Sequence, residues 1–174
     1  MKRDNIILIG FMGTGKTTVG RKMAEISGRN FADTDVLIEK KLGMTIPEIF
    51  EKLGEKAFRD EETKTAAEMA DSRYMIYAAG GGMPLSEENA KLLKAAGRVV
   101  FLDTPEDVLI ERLKGQTGRP LLNCDDPETR IRELLKERRE KYIAAADAVV
   151  ETGNREPVNV AMAVFRALEK TGKY

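Results

Sequence analysis

Residues 10–17 read Gly10-Phe11-Met12-Gly13-Thr14-Gly15-Lys16-Thr17, and their reading decides the fold. The stretch satisfies G-x-x-x-x-G-K-[ST], the P-loop pattern. The apolar run Ile6–Ile9 leads into it as a buried strand, and a helical pattern opens at Lys16. Glycines let the chain wrap tightly and keep side chains off an anion's path. Backbone N–H groups and the helix start then attract phosphate. In such a loop Lys16 is placed to reach the β- and γ-phosphates, and the Thr17 hydroxyl to bind Mg²⁺. The expected nucleotide-binding residues here are Gly13, Thr14, Gly15, Lys16, Thr17 and Thr18.

Outward from the loop, apolar runs at Tyr74–Ala79, Val99–Leu102 and Ala148–Val150 predict three more buried strands, with a weaker one at Asn30–Ala32. Near-continuous apolar strands belong to a parallel sheet covered on both faces. Helical patterns fall at about 16–27, 35–41, 46–53, 55–70, 86–95, 105–114, 127–145 and 157–169. Gly28 is suited to end the first helix in the left-handed conformation. Ser86, Thr104 before Pro105, and Asp126 before Pro127 are expected helix caps. This alternation predicts a three-layer α/β/α fold with a five-stranded parallel sheet and ligands at the carboxyl ends of its strands. The whole chain, 1–174, is expected to form one domain. Two stretches fit the alternation poorly. Residues 36–59 read as a helical insertion, and Gly115–Asp126 as a mobile loop able to close over a site.

Composition narrows the function. Lys and Arg total 29 against 29 Asp and Glu, so no bulk charge favours nucleic acid or an anionic membrane. There is no histidine, which excludes His-based triads and His zinc sites. The single cysteine, Cys124, cannot form an internal disulfide. No apolar run reaches the ~18 residues of a membrane span, and the apolar run near the N-terminus is too short for a signal peptide. The cytoplasm is the expected compartment.

A P-loop alone does not separate kinase, hydrolase and switch protein. Asp33-Thr34-Asp35 follows the weak strand. Near a Mg·ATP site one such carboxylate can hold metal-bound water while the other accepts a hydroxyl proton; alternatively Asp33 or Thr34 caps the next helix. Gly80-Gly81-Gly82 either lets a ligand approach the backbone or makes a plain turn. On the helix at 127–145, Arg138 falls within about 20° of the centre of the stripe Ile131, Leu134, Leu135 and Tyr142. It either binds an anion in a cleft or is structurally paired. Arg139 lies further from that stripe. Arg59 stands three residues from Glu62 and can pair with it. Arg119, in Gly118-Arg119-Pro120-Leu121-Leu122, is placed to stabilise a transferring phosphoryl group or is a surface residue.

Taken together, Gly10–Gly20, Asp33–Asp35, Phe58–Glu62, Gly80–Gly82, Gly118–Leu122 and the Arg138/Tyr142 pair resemble the shikimate kinase family in order and spacing. The resemblance implies a P-loop kinase of nucleoside-monophosphate-kinase-like fold that phosphorylates the 3-hydroxyl of shikimate with ATP. It implies a substrate-binding helical segment near 33–62 and a lid near 113–125. Lys16, Asp35 and Arg119 would be catalytic. Asp35, Arg59, Gly80, Gly81, Gly82 and Arg138 would bind shikimate, with Glu62 holding Arg59. Thr17 would reach Mg²⁺ directly and Asp33 through water. Arg112 would stack on adenine, and Arg155 would border the base. Ala78-Ala79 stands where many members carry hydroxyl residues before the glycines. A monomer is expected.

Overall fold

A computed structural model describes residues 5–114 and 124–171. The strands are β1 (Asn5–Ile9), β2 (Asn30–Asp33), β3 (Met75–Ala78), β4 (Gly97–Asp103) and β5 (Ala148–Glu151). The helices are α1 (Lys16–Ser27), α2 (Thr34–Leu42), α3 (Ile46–Glu68), α4 (Glu87–Ala96), α5 (Glu106–Leu113), α6 (Pro127–Ala145) and α7 (Pro157–Lys170). The strands form one five-stranded sheet in the order β2-β3-β1-β4-β5, every pair parallel.

Alternation along β1 shows why the sheet needs two coats. Ile6 and Leu8 pack with Val19 and Met23 of α1 and with Val160 and Val164 of α7. Ile7 and Ile9 face the other way, toward Ala66 of α3, Leu93 of α4, Leu109 of α5 and Ile131 of α6. Successive strand residues point to opposite faces, so apolar residues at both parities require helices on both sides. Gly20 lets α1 lie close to the sheet, since a Cβ there would sit 2.5 Å from the Phe31 ring.

The two helical segments expected at 46–53 and 55–70 are present: α3 is parted at Gly54, whose backbone (φ 82°, ψ 165°) is not helical, and its second part ends at Glu68. A small separate core of Ile38, Ile49 and Phe58 anchors this region. Thr104 does not cap α5. Pro105 takes the cap position without a side-chain bond, and the Thr104 hydroxyl pairs with Thr152 at 2.6 Å. Proximity to β5 wins over the local cap because both hydroxyls are buried and need partners. Ser86 and Asp126 do cap α4 and α6, and Gly28 (φ 70°) closes α1.

The amino edge of the sheet is tied by Asn5. Its amide donates to the carbonyls of Met69 (3.2 Å), Ser72 (3.0 Å) and Ala96 (3.1 Å), and its Oδ1 accepts from Met75 N–H at 3.0 Å. Leucine at this position strands several buried groups at once. Asn5→Leu is therefore expected to lower unfolding free energy by about 2–4 kcal/mol in urea titration. A loss below about 0.5 kcal/mol would show that water or neighbouring groups replace the amide.

Candidate active site

The P-loop leaves β1 at Gly10 and turns into α1. Gly13 (φ 81°) and Gly15 (φ 89°) both hold left-handed conformations that side-chain-bearing residues rarely adopt. Gly10 passes so close to β4 that a Cβ would lie 2.8 Å from the Leu102 carbonyl oxygen. The Thr14 hydroxyl donates to Phe11 O at 2.9 Å and braces the loop. Lys16 Nζ arches over the loop and donates to Gly10 O (2.8 Å) and Phe11 O (2.9 Å).

β2 brings Asp33 beside that loop. Thr17 Oγ1 donates to Asp33 Oδ2 at 2.7 Å, while Asp33 Oδ1 caps α2 by accepting from Asp35 N–H at 3.0 Å. Asp33 thus caps α2, the second of the two readings, while its other oxygen lies against the Thr17 hydroxyl. The hydroxyl and carboxylate supply hard oxygen donors suited to a hard divalent cation. No cluster of three or more acidic, Cys or His side chains occurs among the described residues. A cation here would complete its shell with phosphate oxygens and water.

Asp35 faces inward, and its Oδ1 is buried without a hydrogen-bond partner. Burial, reinforced by the Asp33 charge, pushes its carboxyl up to about 6, against an opposing pull from Lys16 and Arg59. It stays ionised near neutral pH yet is far more basic than an exposed aspartate.

The glycine triplet meets this group at close quarters. A Cβ on Gly80 would lie 2.5 Å from Asp35 Oδ1 and 3.1 Å from Glu62 Oε1. One on Gly82 would run into the Arg59 guanidinium. Gly80 and Gly82 serve clearance, since neither has positive φ, whereas a Cβ on Gly81 would meet only ordinary contacts. Arg59 Nη1 donates to Glu62 at 2.7 Å, and its Nη2 lies 3.0 Å from Glu55. Burial holds the Glu62 carboxyl above its usual range despite Arg59 beside it. Arg138 is buried on α6, its guanidinium 5.9 Å from the Phe11 ring centroid and its Nε without a partner. One turn later, Tyr142 Oη donates to Gly81 O at 2.7 Å. Arg139 points elsewhere and pairs with Asp103 at 2.7 Å.

A second recess adjoins the P-loop. A cavity of about 340 Å³ is bounded by Gly13, Gly15, Thr18, Arg112, Arg155 and Pro157, among others. Arg112 links its two sides, donating to Gly13 O (3.3 Å) and Gly153 O (2.7 Å). Arg155 donates to the carbonyls of Glu151 and Asn159. A roomier cavity of about 760 Å³ lies along another face of α6, lined by Phe11, Leu109, Leu135 and the Arg139–Asp103 pair. Volume alone does not mark the site. The buried, unpartnered polar atoms of Asp35 and Arg138 do. Arg119 and most of the expected lid, 113–125, lie outside the described residues. The sequence marks Thr34 as a possible cap within Asp33–Asp35 and Tyr142 as a stripe residue paired with Arg138, and gives neither a role in the site. Their contacts are made to glycine backbone, which leaves no side-chain pattern to read.

A parallel sheet with a P-loop at its carboxyl edge, facing a carboxylate and two arginines, defines a P-loop kinase of small molecules. Residues 12–169 match the sequence profile of the family described as shikimate kinase. The chain is 45% identical over 166 residues to the shikimate kinase of Thermodesulfovibrio yellowstonii, covering 95% of each chain. It is 41% identical over 170 residues to that of Acinetobacter baylyi, covering 98% of this chain and 94% of the other. The solved shikimate kinase from Acinetobacter baumannii in complex with shikimate superposes with TM-score 0.92 at 40% identity, covering 98% and 96% of the two chains. A gluconokinase from Sinorhizobium meliloti shares the fold, with TM-score 0.53 at 18% identity. The chain belongs to the shikimate kinase family and is an ATP-dependent kinase. No helix among the described residues is long and apolar enough to cross a membrane.

The raised Asp35 carboxyl carries a stability consequence. The proton binds more tightly in the folded chain than in the unfolded one, so ionisation opposes folding. This cost is absent below the unfolded value of 3.8 and complete above about 6. Asp35→Asn is expected to be more stable than the unaltered chain by on the order of 2 kcal/mol at pH 8, with the gain shrinking as pH falls toward 4. Denaturant titration across that range checks it. A variant less stable at pH 8 would mean that attractive partners outweigh burial.

Proposed function

We propose that this chain transfers the γ-phosphoryl group of ATP to the 3-hydroxyl of shikimate, giving shikimate 3-phosphate and ADP in aromatic amino-acid biosynthesis. The observation that carries this reading is a pair of buried polar atoms of opposite charge that lack hydrogen-bond partners, Asp35 Oδ1 beside Gly80 and Arg138 Nε one turn before the Tyr142 that bonds Gly81. Shikimate offers a hydroxyl to the first and a carboxylate to the second.

Phosphoryl transfer through a loose transition state needs positioning and charge neutralisation above all. The P-loop N–H groups with Thr14, Thr17 and Thr18 cradle the phosphates, and Lys16 moves from its loop carbonyls to the β- and γ-phosphates. The base lies in the recess between Arg112 and Arg155, with Pro157 at its border. Thr17 and Asp33 would hold Mg²⁺, Asp33 through water; when bound, that ion neutralises charge on the β- and γ-oxygens. Asp35 accepts the hydroxyl proton as the oxygen attacks, and its raised carboxyl suits that role at neutral pH. Arg59 and Arg138 grip the carboxylate, and forked guanidinium pairing makes that grip directional. Gly80, Gly81 and Gly82 line the ring hydroxyls. The segment near 33–62 closes around the acceptor, and the lid near 113–125, carrying Arg119, completes the domain. We also read the protein as a cytoplasmic monomer; the lone cysteine fits a reducing compartment.

ADP release from Mg·ATP should be measured with shikimate, quinate, gluconate, AMP, CMP and no acceptor. A strong signal with shikimate alone is expected. Turnover with gluconate or a nucleotide instead would overturn the acceptor assignment and leave the P-loop intact. Arg138→Lys loses the fork but keeps the charge. It is expected to raise the shikimate KM by about tenfold or more while leaving ATP affinity nearly unchanged. Equal loss for both ligands would argue against carboxylate binding.

A further inference from the structure

The backbone of the glycine loop is tied to two different elements by two hydroxyls. Thr34 is fully buried at the start of α2, and its Oγ1 accepts from Gly80 N–H at 2.9 Å. Tyr142, on α6, donates to Gly81 O at 2.7 Å. Within the loop, Met83 N–H donates to Gly80 O at 3.0 Å and closes a turn. The two anchors are covalently close to different functional groups. Thr34 immediately precedes Asp35, and Tyr142 lies one helical turn beyond Arg138.

The contact beside the first anchor is tight. A Cβ on Gly80 would lie 2.5 Å from Asp35 Oδ1, so the loop forms one wall of the carboxylate's pocket. The Thr34 bond sets how far that wall stands from the carboxylate. At the other end, Tyr142 sets the loop against the guanidinium that receives the acceptor's carboxylate. We propose that Thr34 and Tyr142 are positioning residues that use the glycine loop as a ruler, Thr34 setting the hydroxyl end of the acceptor and Tyr142 its carboxylate end. This rests on the kinase reading above. Neither side chain needs to touch the reacting atoms. Each acts through loop backbone, and a displacement of about 1 Å at a reacting group can cost ~100-fold in rate.

The two ends separate kinetically. Thr34→Val keeps the branched shape, removes the acceptor atom and leaves Gly80 N–H buried and unpaired. It is expected to lower kcat by roughly 10- to 100-fold with the shikimate KM changed less than about threefold. Thr34→Ser restores the hydroxyl and should return kcat to within about threefold of the unaltered enzyme. Tyr142→Phe is expected to raise the shikimate KM by about fivefold or more, with a smaller effect on kcat. The ATP KM should stay unchanged in all three.

Steady-state kinetics with both substrates varied, alongside thermal melting of each variant, reads these values. If Thr34→Val melts below the assay temperature, Thr34→Ala gives the same comparison, because it too removes the hydroxyl that accepts from Gly80 N–H. The proposal is overturned if Thr34→Val or Thr34→Ala turns over like the unaltered enzyme. It is equally overturned if serine fails to restore kcat, or if Tyr142→Phe leaves the shikimate KM unchanged. Absence of shikimate-dependent turnover in the unaltered enzyme would instead defeat the kinase reading itself, so the two failures are distinguishable.

Discussion

The catalytic edge depends on the register of the parallel sheet. Leu8 of β1 stands level with Ala78 of β3 and Val100 of β4, and Ala78 stands level with Asp33 of β2. Two residues beyond this line, the chain reaches Gly10, Gly80, Asp35 and Leu102 together. The close approaches at that level follow directly: Gly10 against the Leu102 carbonyl, Gly80 against the Asp35 carboxylate, and Gly81 toward Gly10 O, which a Cβ on Gly81 would meet at 3.6 Å. A slip of one residue in any pairing would also exchange the faces of that strand, exposing apolar side chains from one of the two cores. Core packing thereby fixes the height at which the P-loop, the glycine triplet and the Asp35 carboxylate come together. The buried apolar faces position chemistry they never touch.

Much of this architecture was legible because the signals were local. The P-loop carries its own strand and helix start, and runs such as Ile6–Ile9 are too apolar to be anything but buried strands. Gly28 and Asp126 act through neighbours within a few residues, so their reading needed no tertiary knowledge. The failures came where a distant partner overrode a local preference. Thr104 has the form of a cap, but Thr152, 48 residues away, takes its hydroxyl. Gly54, by contrast, parts two helical segments as its residue type suggests, and Phe58 beyond it shares a small core with Ile38 and Ile49.

The site divided along the same line. Charged residues announce themselves, and Asp33, Asp35, Arg59 and Arg138 could be picked out by type and spacing. The triplet at 80–82 was visible as glycine, but its reason was not. Glycines are usually explained by backbone conformation, whereas here the φ values are ordinary and the missing side chains make room for carboxylates and a guanidinium. Thr34 and Tyr142 stood inside the motifs, in Asp33–Asp35 and beside Arg138, but gained no role from them, because each bonds to main chain and main-chain partners carry no residue identity.

The same crowding explains the electrostatics. Gly80 allows Asp35 and Glu62 to approach one backbone segment, and both carboxyls are raised chiefly by burial. A fold selected only for stability would not hold two acids in this way, since each ionised group loses water on folding. Glu62 recovers part of that cost through Arg59 at 2.7 Å. Asp35 has no such direct partner on its inner oxygen. The asymmetry distinguishes their roles. The paired acid fixes an arginine in place, and the unpaired one keeps a lone pair available at raised basicity. Glycine at position 80 is thus a condition for the buried carboxylate as well as for the turn, because any side chain there would displace the group that burial keeps at raised basicity.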